Sequence, residues 1–246
     1  MIPHHRRSRR RGQSRGAVGG IEVRGVGKSL RGRQILHDVD LAVPRGTVAV
    51  IEGDNGAGKT TLVRILATVV SPDTGSALVN GYDVVSQGLS VRRSIGVSFA
   101  NERSLYWRIN AYQNLELFGQ IAGLNKKVIA VRSAALLDEL HLLHVAEGQV
   151  QRMSTGQRQR LMVARALLTD PSVLLLDEPF RGLDEDGVQT LINLVAKRVQ
   201  AGTTILIVAP LIVAVLPVAD ATYRIDAGTV RPVTAGQLGE YHPEQP

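Results

Sequence analysis

The densest chemistry in the chain lies in Gly53-Asp54-Asn55-Gly56-Ala57-Gly58-Lys59-Thr60-Thr61. Glycines let a backbone approach a ligand closely, unpaired amides point inward, and a following helix N-terminus favours an anion. At this spacing Lys59 reaches β- and γ-phosphates, the Thr60 hydroxyl helps hold Mg²⁺, and Gly53 to Gly58 with Thr61 wrap the phosphate chain. An ordinary glycine-rich turn needs neither Lys59 nor Thr60 after its last glycine. A second group is Asp177-Glu178-Pro179, which follows the apolar run Val173-Leu174-Leu175-Leu176. A carboxylate at the C-terminal end of a buried parallel strand stands where ligands bind in open α/β sheets. Asp177 suits Mg²⁺, and Glu178 suits polarising an attacking water. A third group is Met153-Ser154-Thr155-Gly156-Gln157, running into the Arg-rich stretch from Arg158. Ser154 with Gln157 three residues on is a capping box. The same helix start, with its hydroxyl, glycine amide and dipole, also presents itself to a phosphate.

These groups need elements to hold them. Val48-Ala49-Val50-Ile51 reads as a buried parallel strand leading into the first loop, and Leu62, Ile65, Leu66 and Val69 recur at helical spacing behind it. From Ile21 to Val43, short alternating segments broken at Gly27, Gly32 and Pro44 read as N-terminal antiparallel strands. Ser76 to Val79 and Ile95 to Phe99 read as further strands. Leu115, Phe118, Ile121 and Ala122, then Ala134, Leu137, Leu140 and Leu143, fit helices with no strand between them. They predict a helical lobe, about residues 101–153, inserted into an α/β domain. Strand signals return at Val173 to Leu176 and at Thr203 to Val208, each after a helical stretch, so the main sheet is expected to be mostly parallel. Ile205 to Ala219 is apolar but too short to span a bilayer, and Pro210 and Pro217 interrupt it. It is expected to be a buried strand followed by a helix.

The net charge is +7. Six of those charges are Arg6, Arg7, Arg9, Arg10, Arg11 and Arg15, in a stretch with no acid, leaving +1 for the rest of the chain. The folded part, residues 20–246, is therefore nearly neutral, and no specific nucleic-acid surface is expected on it. Residues 1–19 have nothing to bury and are expected to be disordered. Such a tail suits anionic lipid or nucleic acid, and equally a solvated tail without a role. With 0 cysteines the chain has no thiol catalysis, thiolate metal site or disulfide.

The first group is the Walker A pattern of P-loop nucleotidases. Ser154-Thr155-Gly156-Gln157, the Arg-rich helix, Leu176-Asp177-Glu178-Pro179 and Gly182-Leu183-Asp184 together resemble the ATP-binding subunits of ABC transporters, over about residues 20–230. Ile95-Gly96-Val97 through Trp107, with Gln113-Asn114-Leu115, is similar to the subgroup exporting drugs, polysaccharides and small hydrophobic products. The resemblance implies ATP and Mg²⁺ as ligands and a second ATP-binding subunit, the same or different, packed head to tail. Each ATP then lies between Walker A of one chain and Ser154, Gly156 and Gln157 of the other. It also implies a membrane-embedded permease docked near the helical lobe, which places the chain in the cytoplasm at the inner face of the membrane.

Three positions depart from that family's pattern. No glutamine occurs between Gln87 and Gln113, so the family's glutamine position falls near Ala100 or Asn101, and Asn101 is the candidate to contact Mg²⁺ or water there, with a shorter reach. No histidine occurs between His144 and His242, and the switch position falls at Ala209 or Pro210. No Phe, Trp or Tyr precedes Tyr82, and Leu30 stands where a ring would stack on adenine. Phosphate and metal binding are expected to survive, with slow hydrolysis. A soluble ABC ATPase acting on nucleic acid usually carries a coiled-coil insertion or a second ATP-binding domain, and neither is visible here. A binding-only ATP sensor differs from the transporter subunit only in turnover.

Overall fold

A computed structural model describes residues 19–100, 104–210 and 213–234. The Arg-rich tail up to Val18, and Asn101 with its expected metal contact, lie outside the described residues. Two strands open the chain, β1 (Ile21–Leu30) and β2 (Arg33–Val43), joined by a tight turn through Arg31 and Gly32 and paired antiparallel. The next strand, β3 (Val48–Glu52), is buried on both faces and leads through the phosphate loop into α1 (Lys59–Leu66). Beyond it come β4 (Thr74–Val79), β5 (Tyr82–Asp83), α2 (Gly88–Ser94) and β6 (Ile95–Ser98). The first sheet is antiparallel in the order β2-β1-β4-β5.

The helical lobe contains α3 (Ala111–Ile121) and α4 (Lys126–Glu139). Asn110 and Gln113 form a capping box at α3, and Asn125 caps α4, which fixes where each helix begins. The chain returns to the core through α5 (Thr155–Leu167), β7 (Val173–Asp177), α6 (Glu185–Gln200) and β8 (Thr204–Ala209). It ends in a hairpin of β9 (Ala221–Asp226) and β10 (Thr229–Pro232). The main sheet has the order β10-β9-β3-β8-β7-β6, parallel except between β9 and β10.

That sheet divides the apolar interior in two. One face carries Ala49, Ile51, Leu175 and Val208 against Leu62 and Ile65 of α1 and Ile21 and Leu36 of the antiparallel sheet. The other carries Val50, Leu174, Leu176 and Ile207 against Leu161 and Met162 of α5 and Leu191 and Leu194 of α6. Strands β3, β7 and β8 are buried on both faces, which is why they read as continuous apolar runs rather than alternating ones.

Three local expectations change. The apolar stretch after β8 forms a 3₁₀ turn, Val213–Val218, rather than an α-helix, because Pro217 inside it removes a backbone donor. Leu143 lies in a 3₁₀ turn, Leu143–Val145, and is 46% exposed. Ile121, on the expected apolar stripe of its helix, points outward at 70% exposure.

Candidate functional site

The phosphate loop joins the end of β3, in the middle of the main sheet, to the start of α1. Gly56 and Gly58 have φ of 86 and 112, a left-handed region that glycine enters without strain. Gly58 is the N-cap of α1 and no side chain caps it, so the first amides of the helix are left for an anion. At Gly53 the constraint is packing: an added Cβ would lie 2.3 Å from the Ile225 carbonyl of β9. The loop folds on itself through the Ala57 amide, which donates to Asp54 O at 3.1 Å. Lys59 is buried, and its Nζ donates to Gly53 O at 2.5 Å and Asp54 O at 2.8 Å. An ammonium has three protons, so one remains for a phosphate oxygen. Burial lowers the Lys59 pKa, and the charges of Glu178, Asp177 and Asp54 oppose that shift. The cavity over the loop measures ≈ 220 Å³ and is lined by Ile35, Asn55, Gly56, Gly58, Lys59, Thr60, Thr61 and Glu178.

Asp177 closes β7 and comes to the loop from the neighbouring region of the same sheet. Thr60 Oγ1 donates to Asp177 Oδ2 at 2.9 Å, which joins the first and second groups directly. Asp177 is 1% exposed, and its Oδ1 has no hydrogen-bond partner. Burial raises its pKa; the Thr60 hydrogen bond opposes this, and the charge of Glu178 adds to it. The charge of Lys59 and the Ala100 amide also lower the pKa. A buried orphan carboxylate oxygen beside a hydroxyl is an oxygen donor set, as Mg²⁺ prefers. No cluster of three or more His, Cys, Asp or Glu exists among the described residues, so phosphate oxygens and water would have to complete such a site.

Glu178 follows with φ 51, costly for a residue with a side chain and further restricted by Pro179 after it. Its amide donates to Val208 O at 2.8 Å, and its carbonyl accepts from the Arg181 amide at 3.2 Å and from Gln159 Nε2 at 3.3 Å. Glu178 also borders a second cavity of ≈ 560 Å³, with Asn55, Phe180, Arg181, Ala209 and Pro210. Pro210 thus lines the same cavity as Glu178 and offers no side-chain donor.

The third group stays apart. Ser154 Oγ accepts from the Gln157 amide at 3.2 Å, and Gln157 Oε1 accepts from the Ser154 amide at 2.9 Å, a complete capping box on α5. None of Ser154, Gly156 and Gln157 lines either cavity. An added Cβ at Gly156 would lie 2.7 Å from Gly182 O, so the helix start packs on the loop before Asp184. Asp184 in turn caps α6, accepting from the Gly187 amide at 2.9 Å.

Ile35, Gln159 and Arg181 belong to this region and do not stand out in the sequence. Only Gln159 leaves a readable signal. It shares the buried face of α5 with Met162, Val163 and Ala166, a polar residue on an apolar stripe.

The family model described as ABC transporter matches residues 36–181. The chain belongs to the ABC transporter family. Within that family it is 39% identical over 210 residues to the daunorubicin resistance ATP-binding protein DrrA3 of Streptomyces coeruleorubidus, covering 85% of this chain and 66% of that protein. It is 39% identical over 212 residues to the doxorubicin resistance ATP-binding protein DrrA of Mycobacterium tuberculosis (strain CDC 1551 / Oshkosh), covering 85% of this chain and 64% of that protein. The chain therefore spans somewhat less than two thirds of the length of both relatives. Among solved structures, the ATP binding subunit of an ABC transporter superposes with a TM-score of 0.79 at 25% identity, covering 88% of this chain and 90% of that one. The α/β architecture of ABC ATPase cassettes, expected from the motif order, is the one found.

Proposed function

We propose that the chain is the ATP-binding subunit of an ABC exporter, coupling ATP binding and slow hydrolysis to export by a separate membrane permease. The observation that carries the reading is the Thr60–Asp177 hydrogen bond at 2.9 Å, which brings the phosphate loop and the acidic strand end to one point. In this reading the loop amides and the third proton of Lys59 hold the β- and γ-phosphates. Thr60 and Asp177 hold Mg²⁺, and Asn101 is the further candidate for it. Bound there, the cation neutralises charge on the phosphate oxygens. Glu178 orients a water and takes its proton as that water attacks the γ-phosphorus, while the bond from that phosphorus to the β–γ bridging oxygen breaks and ADP leaves with the electron pair.

Because Ser154, Gly156 and Gln157 lie away from both cavities, they are offered to the ATP of a second subunit, itself a copy or a related chain. No helix among the described residues is long and apolar enough to cross a membrane, which fits a subunit that docks on a permease. Tyr106 and Trp107, 55% and 43% exposed beside the helical lobe, are candidates for that contact. The two relatives are named as daunorubicin and doxorubicin resistance ATP-binding proteins, which fits export of a small hydrophobic product, and in this reading the chain works at the cytoplasmic face of the membrane.

Calorimetric titration of the unmodified chain and of Lys59→Ala tests the site. Mg-ATP is expected to bind the first and not the second, with equal melting temperatures. Equal affinity in both refutes it.

A further inference from the structure

Among the described residues that line the larger cavity beside Glu178, Arg181 is the single cation. Asn55, Glu178, Phe180, Arg181, Ala209 and Pro210 line that cavity. Among the described residues the Arg181 guanidinium is exposed and makes no hydrogen bond or ion pair, while other arginines of the core are committed. Arg165 donates to Ser104 O at 2.7 Å, Arg160 to Leu140 O at 3.0 Å, and Arg198 pairs with Glu139. The backbone of Arg181 is tied to that of Glu178, since its amide donates to the Glu178 main-chain carbonyl at 3.2 Å. Pro210 lines the same cavity and can give nothing to an anion.

We infer that Arg181 makes the contact to the terminal phosphate of ATP, on the Glu178 side of the site, that Pro210 cannot make. The inference rests on the ATP-binding reading above. A guanidinium stays charged at any working pH and presents a planar fork of donors that matches two phosphate oxygens at once. Its long stem reaches from the short turn after Glu178 into the cavity that the turn borders. Lys59, already bound to two loop carbonyls, serves the phosphate chain from the loop side. Arg181 then meets the terminal phosphate from the other side, where negative charge on its oxygens must be held while water adds. ADP has no group at that place, so Arg181 discriminates between the two nucleotides.

The test uses the full chain carrying Glu178→Gln, so that ATP stays intact, and titrates Mg-ATP and Mg-ADP separately. Adding Arg181→Ala is expected to weaken ATP about ten-fold or more, the size of one charge-assisted hydrogen bond, and to leave ADP unchanged. Adding Pro210→His as well is expected to recover part of the preference for ATP. The substitution is on an exposed turn, and an unchanged melting temperature separates loss of contact from loss of fold. An ATP-to-ADP affinity ratio equal to that of the parent overturns the inference, as does an equal loss for both nucleotides. A parent that binds neither nucleotide overturns the ATP-binding reading, and this inference with it.

Discussion

Burial raises the Asp177 pKa above its usual 3.8, because the charged form loses its hydration and the Thr60 hydrogen bond and the Lys59 charge offset that loss only in part. The sign of the consequence follows from linkage. The folded chain holds this proton more tightly than the unfolded one, so stability is greatest at low pH and falls as pH rises through the folded-state pKa. Asp177→Asn is therefore expected to raise the melting temperature at neutral pH in the absence of Mg²⁺. A divalent cation reverses the balance by favouring the carboxylate. Mg²⁺-dependent ATP binding is expected to weaken as pH falls, beginning above the usual aspartate range, and to be lost in Asp177→Asn. Titrations across pH, with melting curves of both chains, check each direction; an Asn variant that melts lower than the parent would show that the charge is already compensated. At this scale Lys59, Thr60, Asp177 and Glu178 were legible in the sequence, since each sits at a fixed offset from a glycine loop or an apolar run. Arg181 and Ile35 were not, because only the folding of a turn and of a hairpin brings them to the cavities.

Helix α5 faces two ways. Its N-terminus, capped by Ser154, is free of the site in its own chain, while about one turn further along Gln159, 2% exposed, reaches the Glu178 carbonyl with its side-chain amide. Gly156 ties the same helix start to Gly182 and so to the loop leading into α6. A displacement of α5 would therefore be felt at the left-handed Glu178, whose φ of 51 is held by neighbours rather than by its own preference. Gln159→Met keeps the length and apolar contact of the side chain and removes the donor. It is expected to lower kcat about ten-fold with KM for ATP and melting temperature unchanged, as misplacement of a positioned group does. If KM and stability fall along with kcat, the hydrogen bond serves only the fold. Elements built on unbroken apolar runs, β3, β7 and β8, were readable in advance, as were the capped helices of the lobe. The β9–β10 hairpin was not, because its strand mixes Arg224 and Asp226 with half-buried apolar residues and shows no clean period. The short α2 carries too few residues for a helical period to register.

Across the whole molecule the phosphate loop and the Ser154 helix start are held on one rigid scaffold, yet neither completes the other. Arg165, over the Phe118 ring at 4.6 Å, and Arg160, bonded to Leu140 O, fasten the lobe to α5, so the helix start is presented at a fixed attitude. The sequence order of the motifs, through its resemblance, already implied that arrangement, but spacing along the chain could not show that the groups lie apart in space. In the proposed reading a site divided this way is completed by a second subunit, and ATP is then part of the interface. ATP is expected to drive association, and removal of the acid at Glu178 should preserve the product. In light scattering, Glu178→Gln is expected to shift from monomer to dimer on addition of Mg-ATP and to stay monomeric with Mg-ADP. Adding Ser154→Arg should abolish the shift while ATP still binds, because the long cation obstructs the helix start without touching the phosphate loop. Should the dimer form equally without nucleotide, ATP would lie outside the interface. Should Ser154→Arg dimerise as the parent does, the partner's nucleotide would not rest on this helix start.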